Sequence, residues 1–347
     1  MKAFSIIKDP VYCKKQQYNV TDKFFLTLIR DERDLPFVQL TVTILLTLIP
    51  LGIFLYIPAV SSWLWWIAAA VYFFLNNFYF KAPFGLMLHC SCHNKLYKYK
   101  YEKLNLVLVW FLGLFFGQTP ETYFSHHIGM HHIENNMEDD ESSTMAYQRD
   151  SFSDFMRYFG TFMYRGLLDL TLYFSRKKRK RLMIKTIRGE VLYILMCVGL
   201  CFINWQATVV VFIIPLLISR FIMMLGNWTQ HSFIDAADPG NHYKNSITCI
   251  NTNYNKKCWN DGYHISHHVK PTMHWTEHPI HFTENIQKYA LNKSIVFEGI
   301  GFLEVFIFLM FKRYDKLESH FVNIENSYAS GDEVIILIKY RTQKILD

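Results

Sequence analysis

The sequence predicts an all-α membrane protein: four transmembrane helices in two hairpins, with a cytosolic helical cap that holds clustered histidines. Three observations predict it. Residues 35–80 contain no Asp, Glu, Lys, Arg or His, and neither do residues 191–219. The 15 histidines gather in short groups on the polar side of these stretches. Apolar residues make up 51% and aromatics 17% of the 347 residues, a mix that suits partial solvation by lipid. A mean hydropathy of only +0.07 excludes a chain that is membrane throughout and fits a few spans carrying a substantial polar region.

The first charge-free stretch is too long for one crossing and divides into spans at Val38–Ile57 and Trp63–Phe80, each near the roughly 20 residues a bilayer core requires. Pro58–Ser62 forms the turn. The second stretch splits near Asn204–Trp205–Gln206, and its first span extends back toward Met183 with Lys185 and Arg188 snorkelling. Neither hairpin tip carries Lys or Arg, while the flanking segments do. By the positive-inside rule both tips face outward, and the N-terminus and both histidine regions face the cytosol.

Leu104–Gly117 is apolar but too short to span, so it is expected as a buried or re-entrant helix. Ile295–Phe311 contains Glu298 and Glu304 and is expected as an interfacial or core helix, with a fifth spanning helix as the weaker alternative, and Val334–Ile338 as a strand in a small C-terminal appendage. The expected organisation is a cytosolic segment (1–37), hairpin one (38–80), a histidine region (81–182) with the re-entrant helix (104–117), hairpin two (183–225), a second histidine region (226–317) and a tail (318–347).

Net charge is +7, with one concentration at Arg176, Lys177, Lys178, Arg179, Lys180 and Arg181. Such a run is often a solvated face. Its place directly before an apolar segment favours a juxtamembrane cluster facing an anionic leaflet. No finger or RNP pattern accompanies it, so nucleic acid is not an expected partner. The seven cysteines are odd in number and irregular in spacing, which argues against a disulfide framework and for a reducing side. Cys90 and Cys92 sit between two histidines, but no second pair completes a zinc site. Met1–Tyr18 is polar and basic without an apolar core, so no cleaved signal peptide is expected.

His89 and His93 follow the second span. His126, His127, His131 and His132 sit in SHHIGMHH, with His126 or His127 as the candidate. His231 follows the fourth span, and His264, His267 and His268 form HISHH. On an α-helix, residues i and i+4 share a face, so His89/His93 and His127/His131 are each expected to aim into one space. Adjacent residues are turned by about 100° and suit two different metals. Many imidazoles with open positions suit redox iron better than closed structural zinc. His242, His274, His278, His281 and His320 are expected as non-ligands.

The order H-x3-H, H-x3-HH, N-x3-H, H-x2-HH, with hairpins between, resembles the membrane fatty acid desaturases from about Val38 to His278. The resemblance implies a four-helix stalk under a cytosolic cap and a di-iron centre of nine histidines and one water-bridged asparagine. Matched motif by motif, the ligands are His89, His93, His127, His131, His132, His231, His264, His267 and His268, with Asn227. It also implies two iron ions (Fe2+/Fe3+), O2 as co-substrate, a lipid acyl substrate, and electrons from a separate donor such as cytochrome b5 or ferredoxin. No HPGG signature is present, so no fused cytochrome b5 domain is expected. The location would be an integral, multi-pass membrane, the endoplasmic reticulum if eukaryotic. The three residues before the second HH pair, where two are common in acyl-CoA desaturases, leave the substrate class open. A double bond is the expected product, because N-x3-H looks more like desaturases.

Asp261, beside Trp259, Asn260 and Tyr263, is a candidate to orient an imidazole, as are Glu134 and Asn135. Asn105–Tyr123 and the end of the second span are candidates for lining an acyl tunnel, although ordinary packing accounts for most such aromatics. Lys95, Lys98 and Lys100 fit a docking face or a solvated one. The alternative readings are a di-iron lipid, sphingolipid or sterol hydroxylase and a non-catalytic metal-binding protein or transporter. Transport is disfavoured because the histidines flank the spans rather than line them. A zinc protease lacks its H-E-x-x-H.

Overall fold

Long apolar runs without helix-breaking clusters become long helices. In the computed structural model, which describes residues 1–58 and 61–345, the chain is mostly helical. Ala59 and Val60 of the expected turn, and Leu346 and Asp347 of the tail, lie outside the described residues. The principal elements in chain order are β1 (Lys2–Ala3), α1 (Leu35–Phe54), α2 (Ser62–Phe74), α3 (Lys81–His93), α4 (Phe152–Arg176), α5 (Lys180–Thr208), α6 (Ile214–Gln230), β2 (Ile247–Ile250), α7 (His264–Val269), β3 (Ile295–Glu298), α8 (Phe302–Met310), α9 (Tyr314–His320), β4 (Val322–Asn323) and α10 (Gly331–Arg341). They form two units interleaved in sequence. A histidine unit comprises residues 1–12, 127–173 and 222–347, and a hairpin unit comprises residues 13–126 and 174–221.

In the hairpin unit α1 begins with a proline in its first turn, where the missing N–H breaks no bond. The indole N–H of Trp65 on α2 donates to Leu55 O at 2.8 Å, which fastens the start of α2 to the end of α1. A π-helical turn, Leu75–Phe80, joins α2 to α3 in one continuous rod. The long helix 180–230 breaks where the sequence placed the tip: Asn204 leaves helical geometry (φ −158°, ψ 100°), and its Oδ1 accepts the Ala207 N–H at 3.0 Å. The Tyr193 hydroxyl donates to Phe212 O at 2.9 Å. In a straight helix those residues would stand about 28 Å apart, so the segment is a hairpin. Glu32–Phe54 and Lys180–Gln230 are long and apolar enough to cross a membrane.

The run 105–115 is helical, as expected, and contains a second π turn at Leu108–Leu112. Its aromatics pack on their neighbours: Phe116 stacks on Phe84 at 4.2 Å and Phe115 meets Phe212 at 5.1 Å. The buried Lys81 ammonium donates to Phe116 O (3.1 Å) and Pro215 O (3.0 Å), a cation at the C-terminal end of a helix. The adjacent Gly117 has φ +72°, and a Cβ there would lie 2.3 Å from Leu216 Cα. Lys95 pairs with Glu102, and Lys98 donates to Leu26 O and Thr27 O, both at 3.1 Å.

The histidine unit contains two short parallel pairs, β1 with β4 and β2 with β3. Two expectations fail here. Ile295–Phe311 is not one helix: Ile295, Val296 and Phe297 form the wholly buried part of β3 against β2, and α8 starts only after Gly299 (φ +81°) and Gly301. The β-branched start won over the helical reading of the whole run. Val334–Ile338 is not a strand but part of α10. Ser330 caps Glu333 N, and Val334 and Ile338, one turn apart, share a buried cluster with Ile247, Phe297 and Leu317. The C-terminal stretch is thus part of this core.

Replacing Gly117 with alanine is expected to destabilise the protein by more than about 1 kcal/mol, because left-handed geometry and a backbone clash coincide. Thermal unfolding of the purified protein in detergent checks this. Gly199→Ala, at a helical site with nothing within 4 Å, is the comparison that leaves the midpoint unchanged or higher.

Candidate metal centre

The second histidine group lies on a short helical segment interrupted by a π turn, His127–His131. A π-helix bonds i to i+5, so residues five apart stack on one face. The expectation that His127 and His131 aim into one space holds only in part: their rings stack with centroids 5.8 Å apart, yet they fall in different sets. His127 instead pairs with His132, Nε2 to Nε2 at 3.0 Å, and His131 joins another set. α7 is a single short helix on which His264 and His268, at i and i+4, share a face with Nε2 atoms 3.0 Å apart. His267 is turned away and meets His132 at 2.9 Å.

Two sets result within the histidine unit. His131, His231, His264 and His268 are all buried, and each offers a ring nitrogen within 4.8 Å of the others. His127, His132 and His267 meet the same criterion. Each neighbouring pair, His131/His132 and His267/His268, is divided between the sets, as the 100° rotation predicts. In the hairpin unit His89 and His93 stand one turn apart at the end of α3 with ring centroids 5.3 Å apart. His126 enters neither set.

The remaining ring nitrogens fix the tautomers. Asp140 is buried, and its Oδ2 accepts the His131 Nδ1–H at 2.7 Å. Its other bonds come from Asn136 N (3.0 Å), Ser142 N (2.8 Å) and Ser142 Oγ (2.6 Å). The His231 Nδ1–H donates to the main-chain oxygen of Asn245 at 2.9 Å, leaving Nε2 as a lone pair. Thr144 holds the His231 carbonyl at 2.7 Å, and Asn136 ties Thr144 to Asn245. Burial, reinforced by the His131 ring, pulls the His231 imidazole down to about 4. Burial and the surrounding rings push His268 well below its ordinary range. Both are therefore neutral at physiological pH, the form a metal requires.

The Nε2 atoms of His231 and His264 lie 3.3 Å apart and those of His264 and His268 3.0 Å apart. A cation placed among them would meet several ring nitrogens at once. Buried imidazoles without thiolate, two of them with fixed tautomers, fit a transition metal such as Fe, Zn, Cu or Ni.

Other candidates fall around the sets. Asn227 lies one turn before His231, and its amide donates to Ser142 O (2.9 Å) and Tyr158 OH (2.7 Å). Asp261 accepts from Tyr254 OH at 2.6 Å and Gln230 at 3.4 Å. Glu134 accepts from Tyr173, while Asn135, at φ +50°, holds His242 Nδ1 at 3.1 Å. His278 bonds Ser266, His274 bonds Thr276 and His320 bonds Glu298 O. His281 is half-buried on a short helix, Nδ1 without a hydrogen bond. Sequence reasoning missed Asp140 and Asn245. Asp140 sits in the acidic run 138–141, which on its own reads equally well as a solvated loop.

Asp140→Asn is expected to weaken metal retention roughly ten- to hundredfold, because the anionic partner of His131 is lost. Metal content after dialysis against graded chelator measures it, and Asp140→Glu should recover part of the loss.

No curated protein and no solved structure matches the chain. A family model described as fatty acid desaturase matches residues 65–297, more than half of the chain and a range that includes every histidine described above as a candidate ligand. The chain therefore belongs to the fatty acid desaturase family, whose members carry out oxidoreductase chemistry on lipids with histidine-bound iron.

Proposed function

We propose that this chain is an O2-dependent di-iron desaturase that introduces a double bond into the acyl chain of a membrane lipid or lipid precursor. The observation that carries the reading is the partition of the adjacent pairs His131/His132 and His267/His268 into two sets of facing imidazoles. A single structural metal has no need of two sets, whereas a two-metal oxidase does.

One iron is assigned to His131, His231, His264 and His268, and the other to His127, His132 and His267. The motif order assigns His89 and His93 to the centre as well, and Asn227 through a water. Two irons supplied with electrons from a separate donor protein such as cytochrome b5 or ferredoxin provide the O2 activation needed to remove hydrogen from an unactivated CH2. The chain's own residues set the geometry. Asp140 and Asn245 hold His131 and His231 in the tautomer that keeps Nε2 unprotonated. Burial keeps His231 and His268 neutral and limits water around the reacting carbon.

The topology that suits this reading has four crossings, α1 with α2 and α5 with α6, and the histidine unit in the cytosol. The break at Asn204 and the absence of Lys and Arg from both tips support it. In a eukaryotic cell the membrane would be the endoplasmic reticulum.

Expression in a cell with a simple lipid profile, followed by lipid mass spectrometry, tests the reaction. The expected product has lost two hydrogens. A product that has gained one oxygen would replace desaturation by hydroxylation. His131→Ala, His231→Ala and His267→Ala are each expected to lower bound iron and abolish product while the protein still inserts. Full activity in His267→Ala would overturn the assignment.

A further inference from the structure

α8 is the most apolar short helix of the histidine unit, and its packing leaves one side uncovered. Phe302, Val305, Phe306 and Leu309 are buried. Leu303 (56% exposed), Ile307 and Phe311 (75% exposed) recur every fourth residue and so form one stripe. Its one charge, Glu304, is turned back to accept the Gly301 N–H at 3.0 Å. Phe306 meets Phe155 of α4 at 4.8 Å, and beside Phe155 the first turns of α4 expose Phe152 and Met156. Two helices of one unit, in contact through Phe306 and Phe155, therefore both expose apolar side chains. Lys312 and Arg313 follow immediately, and Arg157 stands at the α4 edge, all with exposed side chains, paired with Asp150, Asp315 and Asp154 respectively.

We infer that this surface, Leu303, Ile307 and Phe311 of α8 with Phe152 and Met156 of α4, lies in the headgroup–acyl boundary of a phospholipid bilayer. α8 has nine residues, about 14 Å, less than half of the hydrocarbon thickness, so it cannot cross and must lie flat. A flat helix with an apolar stripe and basic residues at its end is the form that interfacial binding takes. In that setting Lys312 and Arg313, which pair with Asp150 and Asp315 in this structure, would turn their heads to the phosphates while the stems stay in the apolar layer. Membership in a family that acts on lipids in a membrane supplies that surface, and a solvated patch of this kind would be a liability. The inference rests on the membrane setting and not on the chemistry at iron.

The test uses the full chain, reconstituted in phosphatidylcholine vesicles that contain a lipid with a photoreactive diazirine near the ester end of its acyl chain. Irradiation and peptide mapping by mass spectrometry read the contact. Adducts are expected on 302–311 and on α1, where Leu46 and Ile53 are exposed, and not around the equally apolar, exposed Leu291. In Ile307→Asp the α8 adducts should fall about tenfold while those on α1 persist. If that variant does not fold, Phe311→Ser serves the same purpose. Labelling of α1 without labelling of α8 overturns the inference, as does protection of α8 by cross-links to a second copy or another protein. Adducts do not report turnover, so failure here leaves the desaturase reading standing, and loss of activity elsewhere leaves this surface standing.

Discussion

The interaction on which the rest depends is the close approach of buried imidazoles drawn from separate elements. The His264 Nε2 lies 3.3 Å from that of His231 and 3.0 Å from that of His268. Such an arrangement is unfavourable for bare rings, since each buried, unsatisfied acceptor costs about 1–3 kcal/mol. For two of the rings the other side is committed elsewhere. With Asp140 accepting the His131 Nδ1–H and Asn245 that of His231, these two rings cannot turn to satisfy Nε2 locally. The loop 135–145 directs its polar side chains to this end, so it behaves as part of the centre though it holds none of the ligands.

The two sets of rings also require a local departure from α-helical geometry. In a regular helix His127 and His132 would point about 140° apart, and no single metal would reach both. The π turn brings residues five apart onto one face and hands His131 to the other set. The benefit is that one six-residue segment, 127–132, can serve two sites. α7 achieves the same division with ordinary helical spacing, because HISHH places its three histidines at i, i+3 and i+4. The two boxes look alike in sequence and work by different backbone geometry.

That contrast explains what was legible beforehand. Apolar run length gave the helices of both hairpins and the break at Asn204, because a charge-free stretch with a polar tripeptide inside it has few other solutions. The rotation of adjacent residues predicted that His131 and His132, and likewise His267 and His268, would separate. The pairing of His127 with His132 was not legible, because the α-helical period was assumed and nothing in SHHIGMHH announces a π turn. Ile295–Phe311 was misread because strand and buried helix look alike in a short apolar run, and only the partner Ile247–Ile250 decides between them. Asp140 was hidden because its role comes from burial, and burial is set by residues far along the chain.

The distance along the chain is itself a constraint. The histidine unit draws on three separated stretches, and its ends are fastened near the ligands. Asp9 accepts the Tyr263 hydroxyl at 2.7 Å, one residue before the third histidine box. The wholly buried Arg149 guanidinium donates to Ser232 O at 3.0 Å and to Arg341 O at 3.1 Å. An arginine buried among carbonyls gains little net stability by itself, since desolvation offsets most of what the bonds return. Its value is positional: five rigidly arranged N–H groups fix where several main-chain segments cross. One of these segments carries His231, and another is the end of α10. The ligand geometry therefore depends on residues near both chain ends, because loops that close over such separations need stiff, directional contacts to hold a site to fractions of an ångström.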